Sequence, residues 1–264
     1  MPQGVPTALD VSASEGGCAV VTVGDRSVAA KRCFDAVVAA TLLAGLSPLI
    51  LAVAIAIKLD SRGPVLYRAK RVGRGGSELQ MLKFRKMHSA AEGSALTLAC
   101  DERFTRIGRW LARSKIDEIP QLWNVLRGEM SLIGPRPEDG QFVANRPDDF
   151  VITLLVKPGI TGLSQLAFAR ESDILDPSDR ERDYVMRILP QKLELDSLYA
   201  RRSTFAMDLA ILAWTLVYTV SRTDVAVDRT TGRMSRRTPR DVRPIGVARR
   251  SSVAVTELKT EAEG

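Results

Sequence analysis

Metal and disulfide chemistry have little to work with in this sequence. Cysteine occurs only as Cys18, Cys33 and Cys100, an odd and widely spaced set, and His88 is the one imidazole in 264 residues. That supply predicts neither a zinc site nor a disulfide framework, and it suits a reducing, cytosolic face. A secretory leader is also missing, because residues 1–30 lack a basic start followed by an apolar core and their run CAVVTV is too short to serve. They read as a weakly ordered extension. No internal repeat is visible. Acids are scarce near the C-terminus, where Arg229 to Arg250 hold eight arginines against Asp241 alone, so much of the formal charge of +7 lies there. Residues 223–264 are polar, rich in arginine and poor in large apolar side chains; they offset little ordering entropy and read as a disordered basic tail. Such a tail attracts anionic lipid or nucleic acid, although a solvated terminus is the plainer reading.

Apolar residues are ample for a core in one large or two small domains. Residues 33–57, CFDAVVAATLLAGLSPLILAVAIAI, form a 25-residue, almost uncharged run. At about 1.5 Å per residue it is long enough to cross a hydrocarbon core. Ser47-Pro48 sits at its centre, where proline removes a backbone donor and bends the helix. Lys31 and Arg32 precede the run, and Lys58, Arg62, Arg68, Lys70 and Arg71 follow it, so the positive-inside rule draws both ends to one side. Two readings stand. One is a kinked spanning helix; the other is a helix-break-helix that enters one leaflet and returns, with Ser47 bonding a carbonyl freed by Pro48. A second stretch, Asp208 to Val220, is too short to span and reads as an interfacial helix or a buried core helix.

Between these segments, alternating residues on either side of GRGG predict a β-hairpin with a glycine turn, or less plainly a phosphate nest. Arg106, Arg109 and Arg113 recur at helical spacing and run into Asp117-Glu118 of SKIDEIPQLWNV. This acid pair has two readings. It is helix punctuation, with Asp117 as cap, Glu118 in the first turn and Pro120 where its missing N–H costs little. Alternatively the divergent carboxylates divide the work on a phosphate, one attacking phosphorus while the other orients a group or a metal, with arginines neutralising phosphate oxygens. Downstream, GEMSLIGPRPED fixes Arg136 between Pro135 and Pro137, presenting a planar fork of donors suited to phosphate.

Taken in order, KRCFDAVVA, LSPLILAVAIAIKLDSRGPVLYRAKRVG, LKFRKM, SKIDEIPQLWNVLRGEMSLIGPRPE, VKPGITGLSQL and LYARRSTFAMDLAIL resemble the monotopic bacterial sugar transferases, the polyprenyl-phosphate phosphoglycosyl transferases. The likeness runs from about Lys31 to Ser221, as in a small, core-only member. It implies transfer of a sugar 1-phosphate from a UDP-sugar to undecaprenyl phosphate with release of UMP, the first membrane step of polysaccharide or glycoconjugate assembly. The resemblance further implies Mg²⁺ and a covalent aspartyl intermediate, with Asp117 as nucleophile and metal ligand and Glu118 as its partner. Lys83, Arg85, Arg113, Pro135, Arg136, Pro137 and Arg170 would bind substrate, and Ser47-Pro48 would break the membrane helix. The expected fold is α+β and mainly helical. It comprises a re-entrant membrane hairpin over 31–60 and a cytosolic catalytic domain over 61–222 with a small β-hairpin and interfacial helices. The expected place is the cytoplasmic face of a bacterial inner membrane, with membrane lipid and downstream glycosyltransferases as partners and no nucleic acid. A membrane-anchored non-catalytic scaffold and a metal-dependent phosphatase are the alternatives. Departures from the family's usual residues fall at Ala69, Ala112, Arg202 and the AFARES turn, and none touches Asp117, Glu118 or Arg136.

Overall fold

The computed structural model describes residues 25–88, 96–97, 101–176 and 178–237. The expected extension as far as residue 24 and the tail beyond 237 lie outside the described residues. Helices α1 (Asp25–Gly45) and α2 (Ser47–Asp60) meet at Leu46, whose φ of −89° and ψ of 1° leave the helical well. Pro48 has no N–H for the carbonyl of Ala44 four residues back, and the Ser47 hydroxyl donates to that oxygen instead, at 2.7 Å. The two helices are bent by 61° at this break. No single helix among the described residues is long and apolar enough to cross a membrane; only the bent pair together reaches that length and composition.

The start of α1 is bolted to the rest of the protein. Lys31 Nζ lies 2.5 Å from Asp208 Oδ2, and Arg32 donates to the carbonyls of Val125 and Leu126 at 2.6 and 2.7 Å. Those carbonyls close helix α4 (Gln121–Arg127), where a cation also favours the dipole. Buried Asp35 accepts from the Ser131 hydroxyl at 2.7 Å. The two basic residues that precede the apolar run in the sequence are therefore structural partners of the core.

Strands β1 (Leu66–Val72) and β2 (Glu78–Phe84) pair antiparallel from Leu66↔Phe84 to Val72↔Glu78, and the glycines of GRGG make the turn, with φ of 67° and 79° at Gly75 and Gly76. Helix α3 (Arg106–Ser114) then leads towards α4. Strand β3 (Ser131–Ile133) pairs in parallel with β4 (Gly159–Thr161), and helix α7 (Leu163–Ala167) follows β4 directly. A Cβ on Gly159 would lie 2.1 Å from the Gly134 nitrogen, so only glycine permits this approach. Helices α5 (Gly140–Asn145) and α6 (Pro147–Phe150) connect the two strands; α8 (Glu171–Ile174) and α9 (Arg180–Asp183) lead through a π-helical turn into α10 (Leu189–Arg202). Val125, Leu132, Leu163, Leu195, Tyr199 and Ile211 belong to the main core, while Phe142, Phe150, Tyr184 and Leu189 centre a second.

Helix α11 (Phe205–Ser221) has a buried face and an exposed apolar face. Ile211 and Asp208 are buried, whereas Phe205, Leu209, Leu216 and Val220 are exposed.

The disorder expected from residue 223 onward is corrected over 223–237. Strands β5 (Val225–Val227) and β6 (Met234–Arg236) form an antiparallel hairpin, and Val225 is 1 % exposed within the main core. The physical reason is local: Asp228 Oδ1 accepts from the N–H and hydroxyl groups of both Thr230 and Thr231, and Gly232 supplies a φ of 71°. A short β-branched run with a well-bonded turn orders a segment that bulk composition marks as polar.

Candidate active site

Helix α3 begins at Thr105, whose side chain accepts from the Gly108 N–H, and ends where Lys115 takes the left-handed conformation at φ 62°. A non-glycine residue there costs roughly 1–3 kcal/mol, a strain tolerated when surrounding contacts fix the turn. A single 3₁₀ turn, Ile116–Glu118, follows, and α4 starts only at Gln121 with no side-chain cap. The helix-punctuation reading of KIDEIP is thus corrected: Asp117 caps nothing. Its carboxylate is buried, with Oδ2 3.2 Å from Lys86 Nζ.

Glu118 faces a different set of cations. Its Oε1 takes Lys83 Nζ at 2.9 Å and the Arg136 guanidinium at 3.0 Å. Burial opposes its charge, but Lys83, Arg136 and Lys115 outweigh burial and hold the carboxyl well below the usual range. Burial pushes the Lys83 ammonium down to about 8, with Arg136 adding to the shift and Glu118 and Asp117 resisting it. Arg136 is held the more firmly protonated, chiefly by Glu118. It projects from the loop after β3, where Pro135 and Pro137 are buried and the Pro135 carbonyl accepts from Gly159 N–H at 2.8 Å.

Of the residues expected from the sequence, Asp117, Glu118, Lys83 and Arg136 come together, flanked by Pro135 and Pro137. Three do not join them. Arg85 turns away to the end of α2, donating to the carbonyls of Ser61 and Arg62 at 2.7 Å each and to the Ser61 hydroxyl at 2.8 Å. Strand alternation places Lys83 and Arg85 on one face, but β2 ends at Phe84, so Lys86 takes the site-facing direction instead. Arg113 is exposed and makes no contact with either acid, and Arg170 pairs with Asp224 of the C-terminal hairpin at 3.1 Å. His88 is exposed and bonds through its backbone.

Several residues of the site escaped the sequence reading. Lys86 is one. Behind Arg136, buried Lys192 donates to Glu138 at 3.0 Å, to Glu171 at 3.1 Å and to the Tyr184 hydroxyl at 2.8 Å. Burial raises Asp196 to about 7, against the Ser164 hydroxyl and Lys192. The signal available for these was a lysine and an aspartate four apart, Lys192 and Asp196, on the buried stripe of α10.

The structure thus joins a bent apolar helix pair to a buried acid pair ringed by cations. The chain belongs to the bacterial sugar transferase family, whose profile matches residues 26–222. It is 40% identical over 195 residues to the undecaprenyl-phosphate glucose phosphotransferase of Komagataeibacter xylinus, covering 70% of this chain and 35% of that protein. It is likewise 40% identical over 192 residues to the UDP-glucose:undecaprenyl-phosphate glucose-1-phosphate transferase of Caulobacter vibrioides, covering 64% of this chain and 72% of that protein. It is also similar to the UDP-N-acetylgalactosamine-undecaprenyl-phosphate N-acetylgalactosaminephosphotransferase of Aeromonas hydrophila, at 36% identity over 70% of this chain and 42% of that one. The chain thus spans about a third of the length of the first relative and well over half of the second.

Lys86 is placed by α3, because a Cβ on Gly108 would lie 1.8 Å from the Lys86 carbonyl oxygen. In an ordinary helix Gly→Ala stabilises by about 1 kcal/mol. Gly108→Ala is expected to do the reverse and lower the melting temperature, as a thermal scan of the purified protein will read.

Proposed function

We propose that the chain transfers a sugar 1-phosphate from a UDP-sugar to undecaprenyl phosphate, giving undecaprenyl-diphosphate-sugar and UMP. The observation that carries this reading is buried Asp117 beside Glu118, with Lys86, Lys83 and Arg136 gathered around the acid pair, in a chain of this family. The Asp117 oxygen attacks the phosphorus that bears the sugar; the bond from that phosphorus to the bridging oxygen breaks, and UMP leaves with it. A phosphate oxygen of the lipid then attacks the aspartyl-bound phosphorus and releases the Asp117 carboxylate. Arg136 and Lys83, drawn together by Glu118, present donors to the nucleotide diphosphate, and Lys86 offsets the repulsion between carboxylate and phosphate.

Among the described residues no group of three His, Cys, Asp or Glu is placed to hold a metal. Mg²⁺ does not require one, since it keeps several waters and takes one or two carboxylates together with substrate phosphate. The Asp117 carboxylate suits that role, with Glu118 beside it. When bound, the ion would supply further neutralisation of the diphosphate.

The bent pair α1–α2 is read as a re-entrant hairpin that dips into the cytoplasmic leaflet of a bacterial inner membrane. Leu51, Ile55 and Leu59 are exposed along α2, and Phe205, Leu209, Leu216 and Val220 along α11, apolar surface that a lipid phase would cover. This holds the acid pair where a soluble nucleotide and a lipid phosphate both arrive. Glycosyltransferases that extend the lipid-linked sugar are the downstream partners.

A screen of UDP-sugars with undecaprenyl phosphate and Mg²⁺, following UMP, tests the reaction, with UDP-glucose and UDP-N-acetylgalactosamine as the first substrates. One of them is expected to release UMP with a lipid-linked product, and Asp117→Asn to abolish it. Release of inorganic phosphate without lipid product would make the chain a phosphatase, and membrane binding without turnover would make it a scaffold. Because Lys83 loses its proton near pH 8, kcat/KM for the UDP-sugar is expected to fall as pH rises through about 8. Lys83→Arg should carry the plateau to higher pH; an unchanged alkaline limb in that variant would remove Lys83 from substrate binding.

A further inference from the structure

Lys192, Glu138, Glu171 and Tyr184 form a buried charged cluster that the transfer reaction does not use directly. Lys192 is 3% exposed and satisfies three acceptors at once. Tyr184 closes the ring by donating to Glu138 at 2.7 Å. Removing such ions from water costs several kcal/mol each, and well-packed apolar residues commonly do as well for stability. A cluster of this kind in a second core otherwise built from Phe142, Phe150, Ile188 and Leu189 therefore calls for a purpose other than holding the core together.

Its position supplies one. Glu138 stands two residues after Arg136 in the same loop, and its carbonyl accepts from the Val72 N–H at 3.0 Å, which ties that loop to the end of β1. Arg136, Glu138, Lys192 and Asp196 line one cavity of about 20 Å³. A cavity of that size has room for about one water. Arg136 thus has Glu118 in front of it and Glu138 and Glu171 behind it, and both rear acids contribute to its field. Lys192 cancels one of the two rear charges.

We propose that Lys192 is a positioning residue that neutralises Glu138 and so leaves the Arg136 guanidinium free to face Glu118 and the diphosphate of the nucleotide substrate. This rests on the transferase reading for the identity of the substrate, although the charge balance itself does not. Without the ammonium, two rear carboxylates draw Arg136 back from the site. Removing Glu138's charge as well returns the rear to its original net charge, so the second substitution is expected to rescue the first.

The experiment uses the full chain in detergent or nanodiscs, with wild type, Lys192→Met, Glu138→Gln and the double variant. It measures UMP affinity by calorimetry, kcat and KM for the UDP-sugar and for undecaprenyl phosphate, and melting temperature. Lys192→Met is expected to weaken UMP binding and lower kcat/KM for the UDP-sugar by on the order of ten- to hundredfold, with KM for the lipid unchanged. The double variant is expected to regain most of that loss. A double variant no better than Lys192→Met, or a Lys192→Met protein with wild-type UMP affinity, overturns the proposal. If Lys192→Met does not fold, Glu138→Gln alone decides: its UMP affinity should tighten by about threefold or more as Arg136 swings forward, and an unchanged value is the contrary result. Wild-type turnover tests the function and the ratios between variants test the positioning, so the two fail separately.

Discussion

Two adjacent carboxylates withdrawn from water are costly unless each acquires its own cation, and at Asp117-Glu118 those cations come from separate parts of the chain. Lys83 lies in β2, Lys86 just beyond its end, and Arg136 in the loop after β3. The 3₁₀ turn keeps the two acids divergent, so Asp117 meets Lys86 while Glu118 gathers Lys83 and Arg136. Divergence gives the two carboxylates different electrostatic surroundings, the condition under which the proposed division of labour between attack and cation-holding can operate. In the proposed reaction the cations that stabilise the acids are also those that serve the diphosphate of the nucleotide. Much of the remaining structure serves to bring these three side chains to one turn.

The bent helix pair is joined to this turn by two routes from the end of α2. Arg85 donates to the carbonyls of Ser61 and Arg62 just beyond that helix, and its neighbour Lys86 pairs with Asp117. Asp60, the final residue of α2, accepts from the Ile107 N–H at the start of α3, the helix whose Gly108 presses on Lys86. At the other end, Arg32 of α1 closes α4, the helix that follows the acid pair. The apolar hairpin and the acid pair are therefore joined at both ends of the hairpin.

The elements with strong local signals were legible in the sequence. Pro48 marked the break, Ser47 its compensating donor, GRGG the hairpin turn, and the paired prolines the rigid setting of Arg136. Long-range direction was not legible. The resemblance gave Arg85 a place in the site, and nothing in KFRKM announces that β2 stops at Phe84 and that Arg85 turns to Ser61 and Arg62. KIDEIP looked like a helix start because an acid before proline is common there, and only the left-handed Lys115 inserts a separate turn. Lys31 and Arg32 looked like membrane flanks because their partners, Asp208 and the end of α4, are distant in sequence. The hairpin at 223–237 was hidden by composition, since an averaged polarity conceals a single buried valine and one well-bonded aspartate turn.

The central claim is that Asp117 becomes covalently bonded to phosphorus during turnover. Intact-mass and peptide mass spectrometry of the protein, quenched rapidly after mixing with a turned-over UDP-sugar in the absence of lipid acceptor, reads this directly. The account predicts a mass increase of one sugar phosphate, localised to the peptide containing Asp117 and discharged on adding undecaprenyl phosphate. A protein that turns over yet never carries that mass, or carries it on another residue, would contradict it.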